Sequence, residues 1–118
     1  MNKEILKQWI LALRSGDYKQ GRYALCNSYT EFCCLGVLCN ISKQGAWNFN
    51  KESRDFTYLG EGSVLPKAVR EWAGFQDTGL PNKLIVFNDD LNYSFDKIAD
   101  WLSDNMVGLE LERNEQCS

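Results

Sequence analysis

The sequence predicts an α+β fold: one compact domain of about four helices with a small antiparallel sheet. Three observations carry this. Apolar residues recur at helical spacing in residues 3–14, 33–42, 65–74 and 94–102. Short aromatic and β-branched runs, few of them alternating, fall between these stretches. No internal repeat, low-complexity tract or linker interrupts the 118 residues, a length that suits one domain with its own core. The domain is expected over 1–107, with a charged, frayed tail over 108–118.

In order along the chain, Ile5, Leu6, Trp9, Ile10 and Leu13 make the apolar face of a first helix, and Gly16 stops it. The segment GDYKQGRYALCNSYTEF (16–32) reads as two short strands, one through Tyr23 and Leu25 and one over 29–32, around a turn at Asn27-Ser28. Cys33 to Ser42 is apolar almost all round, as in a buried helix, and Gly36 there allows another element to approach closely. Residues 43–63 read as a loop followed by a strand at 55–59. Leu65-Pro66 opens a helix with Leu65, Ala68, Val69 and Trp72 as its apolar stripe and Gly74 as its stop. Residues 76–82 are expected to turn through Gly79 and Pro81, and KLIVF (83–87) to form a strand ending in Asn88-Asp89-Asp90. Ser94 is expected to cap the last helix, whose buried side is Phe95, Ile98, Ala99 and Leu102.

The composition, 44% apolar and 25% charged, is that of a soluble globular protein. No apolar run approaches the roughly 18 residues of a membrane span. MNKEILKQWILALRSG lacks a small-residue cleavage site and reads as a mature helix, so the chain is expected to stay in the cytoplasm. Five cysteines, an odd number, are expected to be reduced there. Charge is uneven. Residues 1–54 hold eight Lys/Arg against four Asp/Glu, a surplus of +4, and residues 55–118 hold five against twelve, a deficit of −7. That split suits a basic end for an anionic ligand and an acidic end for a basic partner, or simply a solvated surface whose signs segregate.

Several chemistries fail on residue types. With no histidine, Cys–His pairs, Ser–His–Asp triads and histidine acid–base catalysis are excluded. No C-x-x-C pair exists, and on a helix Cys34 and Cys39 face about 140° apart, so neither zinc nor any other cofactor is expected. Cys33, Cys34 and Cys39, in the run FCCLGVLC, read mostly as core. Asn88-Asp89-Asp90 is the one carboxylate cluster that invites a divalent cation, although such residues more often form turns. The glycine spacing fits neither a P-loop nor a dinucleotide fingerprint.

Binding therefore outweighs catalysis. Arg14, Tyr18, Lys19, Gln20, Arg22 and Tyr23 cluster around a glycine-bounded loop; guanidinium groups grip phosphates and tyrosine faces stack on bases. The candidate ligand-binding residues are Arg14, Tyr18, Gln20 and Arg22, with Trp47 or Trp72 stacking, and the ligand class is a small anionic, nucleotide-like molecule. The alternative is a protein partner on Asp96, Asp100 and Asp104, four apart and so aligned as an acidic ridge. Direct nucleic-acid binding is disfavoured by a pI near 4.9. A homo-oligomer suits a small sequestering protein, but no residue demands one.

The succession ALRSGDYKQGRYAL, FCCLGVLCNI, LPKAVREWAG and FNDDLNYSFDKIADWL, spanning residues 12–102, resembles a family of small proteins encoded by many tailed bacteriophages. Its pattern pairs ALRSG-x-Y-x-Q with F/Y-C-C-L-G-V-x-C, then a Leu-Pro-led helix with W-A-G and an N-D turn before S-F-x-x-I-A-D. The departures are FNDDLNYSF, where the family has L-N-D and a shorter approach to Ser-Phe, and Cys26, which belongs to no shared block. The resemblance implies that Cys33, Cys34 and Cys39 recur as core, and it implies a setting rather than an activity. That setting is a phage accessory protein in the host bacterial cytoplasm. By analogy with other small phage accessory proteins, and independently of fold, it is expected to counter host defence by holding a nucleotide-like signal or a defence protein.

Overall fold

A computed structural model describes residues 1–27, 30–75 and 79–107. Helix α1 (Lys3–Arg14) begins where the Asn2 side chain accepts hydrogen bonds from the Glu4 and Ile5 amides, and it buries Ile5, Leu6, Trp9 and Leu13. Strands β1 (Lys19–Gln20) and β2 (Glu31–Phe32) pair in parallel. Helix α2 (Cys34–Ser42) is the buried centre, and Trp9 donates its indole N–H to the Cys34 carbonyl at 2.9 Å. Strands β3 (Trp47–Phe49) and β4 (Phe56–Tyr58) form an antiparallel hairpin. Helices α3 (Lys67–Ala73), α4 (Gly79–Asp89) and α5 (Phe95–Leu102) follow, and a π-helical turn (Ser103–Val107) continues α5. The fold is α+β, as the sequence predicts.

Sequence and structure differ chiefly where packing overrides local propensity. KLIVF is not a strand: residues 79–89 are one helix, so Gly79 and Pro81 open it instead of turning the chain. Pro81 is tolerated because first-turn amides have no helical partner. The buried positions Pro81, Leu84 and Asn88 follow helical spacing, while Val86 stays exposed. The β-branched run misleads because strand propensity yields to packing: Phe87 stacks on Tyr93 with centroids 4.8 Å apart and meets Trp101 edge-on at 5.2 Å. On α3 the buried pair is Val69 and Ala73, with Trp72 half-buried and Ala68 exposed. The early strand lies at Lys19–Gln20 rather than at Tyr23 and Leu25, and it pairs in parallel with β2. Ser28, Tyr29, residues 76–78 and the expected tail at 108–118 lie outside the described residues.

The paired cysteines have distinct tasks. Cys33 is the N-cap of α2, its Sγ accepting the Gly36 amide at 3.4 Å. Cys34 is fully buried and directs its thiol at the Leu84 carbonyl, 3.7 Å away. Cys26, Cys33, Cys34 and Cys39 are all buried, and no disulfide joins them among the described residues. Desolvation pushes the Cys33 thiol up to about 11, and it raises Cys34 and Cys39 as well. Thiolate chemistry at Cys33, Cys34 and Cys39 is thereby suppressed at neutral pH. Because the unfolded thiols ionise near the ordinary value of 9.0 and folded Cys33 only near 11, their neutral forms favour folding fully below pH 9. Stability is expected to fall as pH rises from 9 towards 11, read as a declining urea midpoint. Iodoacetamide at pH 8, followed by peptide mass spectrometry, is expected to label these four cysteines only after unfolding.

Candidate functional site

A cleft of about 420 Å³ opens between two arms of the chain, residues 23–27 on one side and residues 54–57 with 62–63 on the other. The arms are tied by the Leu25 amide, which donates to the Gly62 carbonyl at 2.8 Å. Residues 58–61 form a tight turn in which Tyr58 and Glu61 exchange backbone hydrogen bonds. Its central residues, Leu59 and Gly60, both have positive φ, as a type I′ turn requires.

Arg54 reaches the cleft from the β3–β4 connection. Asn50 accepts the Glu52 and Ser53 amides on its side chain and the Arg54 amide on its carbonyl, and the Asn50 amide donates to the Asp55 carbonyl. Closing that loop places Arg54 at φ 62, a left-handed position usually given to glycine, at a cost of about 1–2 kcal/mol. Among the described residues Arg54 makes no ion pair. Across the cleft Tyr23 is also left-handed, at φ 68, with 71% of its surface exposed. Two strained, non-glycine residues, one cationic and one aromatic, thus line one cavity together with the polar residues Asn27, Asp55 and Ser63.

The wall carrying Tyr23 is fastened from below by Asn88. Fully buried, Asn88 accepts from the Gln20 side-chain amide at 2.9 Å and the Cys34 amide at 3.3 Å, and donates to the Gly21 carbonyl and Asp89 Oδ1, both at 2.9 Å. Asp89 Oδ1 also accepts the Tyr23 amide at 3.0 Å. Asn88 and Asp89 are thus the last residues of α4 and part of a polar network. Among the described residues no three His, Cys, Asp or Glu side chains gather as metal ligands.

None of the six ligand residues suggested by the sequence lines this cleft. Arg14 donates to Asp100 at 2.7 Å, so a residue assigned to the ligand and one assigned to the acidic ridge neutralise each other. Asp96 and Asp104 are exposed, the first in the opening turn of α5 and the second in the π-helical turn. The Tyr18 hydroxyl accepts from the Asn40 amide at 2.7 Å while its ring meets Phe32 edge-on. Gln20 is spent on Asn88 and the Tyr93 carbonyl. Trp47 packs between Phe32 and Tyr58 and donates to Asn40, and Trp72 is half-buried against the core. Arg22 is half-buried, and its Nε is buried without a hydrogen-bond partner among the described residues. The sequence does flag Tyr23 within the basic cluster. Arg54 it misses, since the turn KESRD contains no glycine to mark a left-handed position.

Fold and site together define a small α+β domain with an open, polar cleft, in which no helix among the described residues is long and apolar enough to cross a membrane. The chain belongs to the family of the domain of unknown function DUF8296, whose profile matches residues 1–106, from α1 to the π-helical turn. Neither a curated protein nor a solved structure matches it.

Proposed function

We propose that this protein is a non-enzymatic binding module that captures a small anionic, nucleotide-like ligand in the cleft between Tyr23 and Arg54. The observation that carries this reading is that a largely exposed tyrosine and an arginine without an ion pair among the described residues line one cavity. Guanidinium binds phosphate bidentately, tyrosine stacks on a base, and Asn27, Asp55 and Ser63 suit sugar hydroxyls and base edges. The volume of about 420 Å³ falls among small-molecule sites. Capture without chemistry fits the setting implied by the phage resemblance, a host bacterial cytoplasm in which a nucleotide signal is withheld from defence. The acidic-ridge alternative gains no support, because Arg14 already partners Asp100.

The test is calorimetric titration with 5′-mononucleotides against wild type, Tyr23→Ala and Arg54→Gly. Arg54→Gly is the informative variant, since glycine adopts φ 62 without strain and the fold is kept. The expected result is about a tenfold or greater loss of affinity in each variant, with thermal stability of Arg54→Gly unchanged or raised. Binding that is indifferent to both substitutions, or absent for every mononucleotide, contradicts the reading.

A further inference from the structure

We infer that Asp89, braced by Asn88, is the positioning residue that holds Tyr23 at the rim of the cleft, an inference that rests on the reading of that cleft as a ligand site. One carboxylate oxygen, Oδ1, receives both the Tyr23 amide at 3.0 Å and the Asn88 side-chain amide at 2.9 Å. Among the described residues Asp89 is the only partner of the Tyr23 amide. A tyrosine keeps φ 68 only where its surroundings over-determine it.

The neighbouring residues show how that happens. The Gln20 side chain and Gly21 carbonyl are fixed by Asn88, the Gly21 amide donates to the Phe32 carbonyl at 2.7 Å, and the Leu25 amide is fixed by Gly62. Between these anchors the Asp89 contact selects the backbone turn at Tyr23, a largely exposed residue that lines the cleft. The backbone at Tyr23 is thereby set by a residue that does not line the cavity. Asn88, being fully buried with both polar atoms doubly engaged, fixes Asp89 in turn.

The role requires an oxygen acceptor and not a negative charge, which separates it from the cation site that Asn88-Asp89-Asp90 otherwise suggests. Asp89→Asn keeps Oδ1 for both donors and leaves its amide nitrogen in the place of the second oxygen, whereas Asp89→Ala removes the acceptor. Both variants of the full chain are measured by Tyr23 amide exchange without ligand, with the Leu38 amide in α2 as the folding control, and by titration with adenosine 5′-monophosphate. Asp89→Ala is expected to speed Tyr23 exchange and weaken nucleotide binding by about tenfold each, with Leu38 unaffected, while Asp89→Asn stays within about threefold of wild type. Unchanged Tyr23 exchange in Asp89→Ala overturns the inference, and so does loss in Asp89→Asn as complete as in Asp89→Ala. If wild type binds no nucleotide, the reading of the cleft falls, and Tyr23 exchange still decides whether Asp89 holds this backbone.

Discussion

Asn88→Ala is expected to lower the unfolding free energy by about 3–5 kcal/mol, a loss on the scale of emptying a core side chain. The substitution removes four hydrogen bonds from a fully buried side chain. It strands the Gly21 carbonyl and the Cys34 amide, an unpaired first-turn donor of α2, and each stranded buried group costs about 1–3 kcal/mol. Gln20 keeps the Tyr93 carbonyl, so its share is smaller. Asn88→Asp is no milder despite its equal size. It forfeits both donors and sets a second, fully buried carboxylate against the half-buried Asp89 Oδ1. Urea denaturation of both variants, with the exposed Asn82→Ala as control, measures this. A loss below about 1 kcal/mol for Asn88→Ala contradicts the network's importance.

The second large effect is Gly36→Ala, for which two opposing terms are compared. Helix propensity favours alanine by about 1 kcal/mol. Sterics oppose it: a Cβ at position 36 lies 1.8 Å from the Leu25 carbonyl oxygen and 2.8 Å from its carbon. That oxygen is backbone and is held in place, accepting the Cys33 amide at 3.1 Å while the Leu25 amide is bound to Gly62. The two segments must separate, which breaks the Leu25–Cys33 contact and moves the cleft wall that carries Tyr23. Overpacking of this kind costs about 1–3 kcal/mol or more, and the lost hydrogen bond adds to it, so a net destabilisation of about 3 kcal/mol is expected. Denaturant unfolding reads the loss. A stabilised Gly36→Ala variant shows instead that propensity wins and that the chain does not pass so close to α2.

What the sequence reveals follows from how local each signal is. Helices α1 and α5 are legible because their apolar spacing, the Gly16 stop of α1 and the Ser94 cap of α5 lie within a dozen residues. The close approach at Gly36 is legible because a glycine inside an apolar helix needs a packing reason. The partner, Leu25, is not legible, since nothing local specifies it. Helix α4 is lost in LIVF because its period is carried by Pro81, Leu84 and Asn88, and two of these look like turn residues. The Asn88 network joins positions 20, 21, 34, 88 and 89, so no window of sequence displays it. For the site, Tyr23 is visible within its basic cluster, whereas Arg54 acquires its place from a turn 31 residues away. Arg14 and Asp100 show the converse: each looks free to serve a partner until folding brings the two within 2.7 Å.

The central claim, that Tyr23 and Arg54 frame a ligand cleft, is tested most directly by titrating isotope-labelled protein with adenosine 5′-monophosphate while following every backbone amide by NMR. The account predicts saturable shifts at Tyr23, Asn27, Arg54 and Ser63, with the amides of Arg14 and Asp96 unmoved. Shifts confined to other surfaces, or none at saturating nucleotide, contradict it.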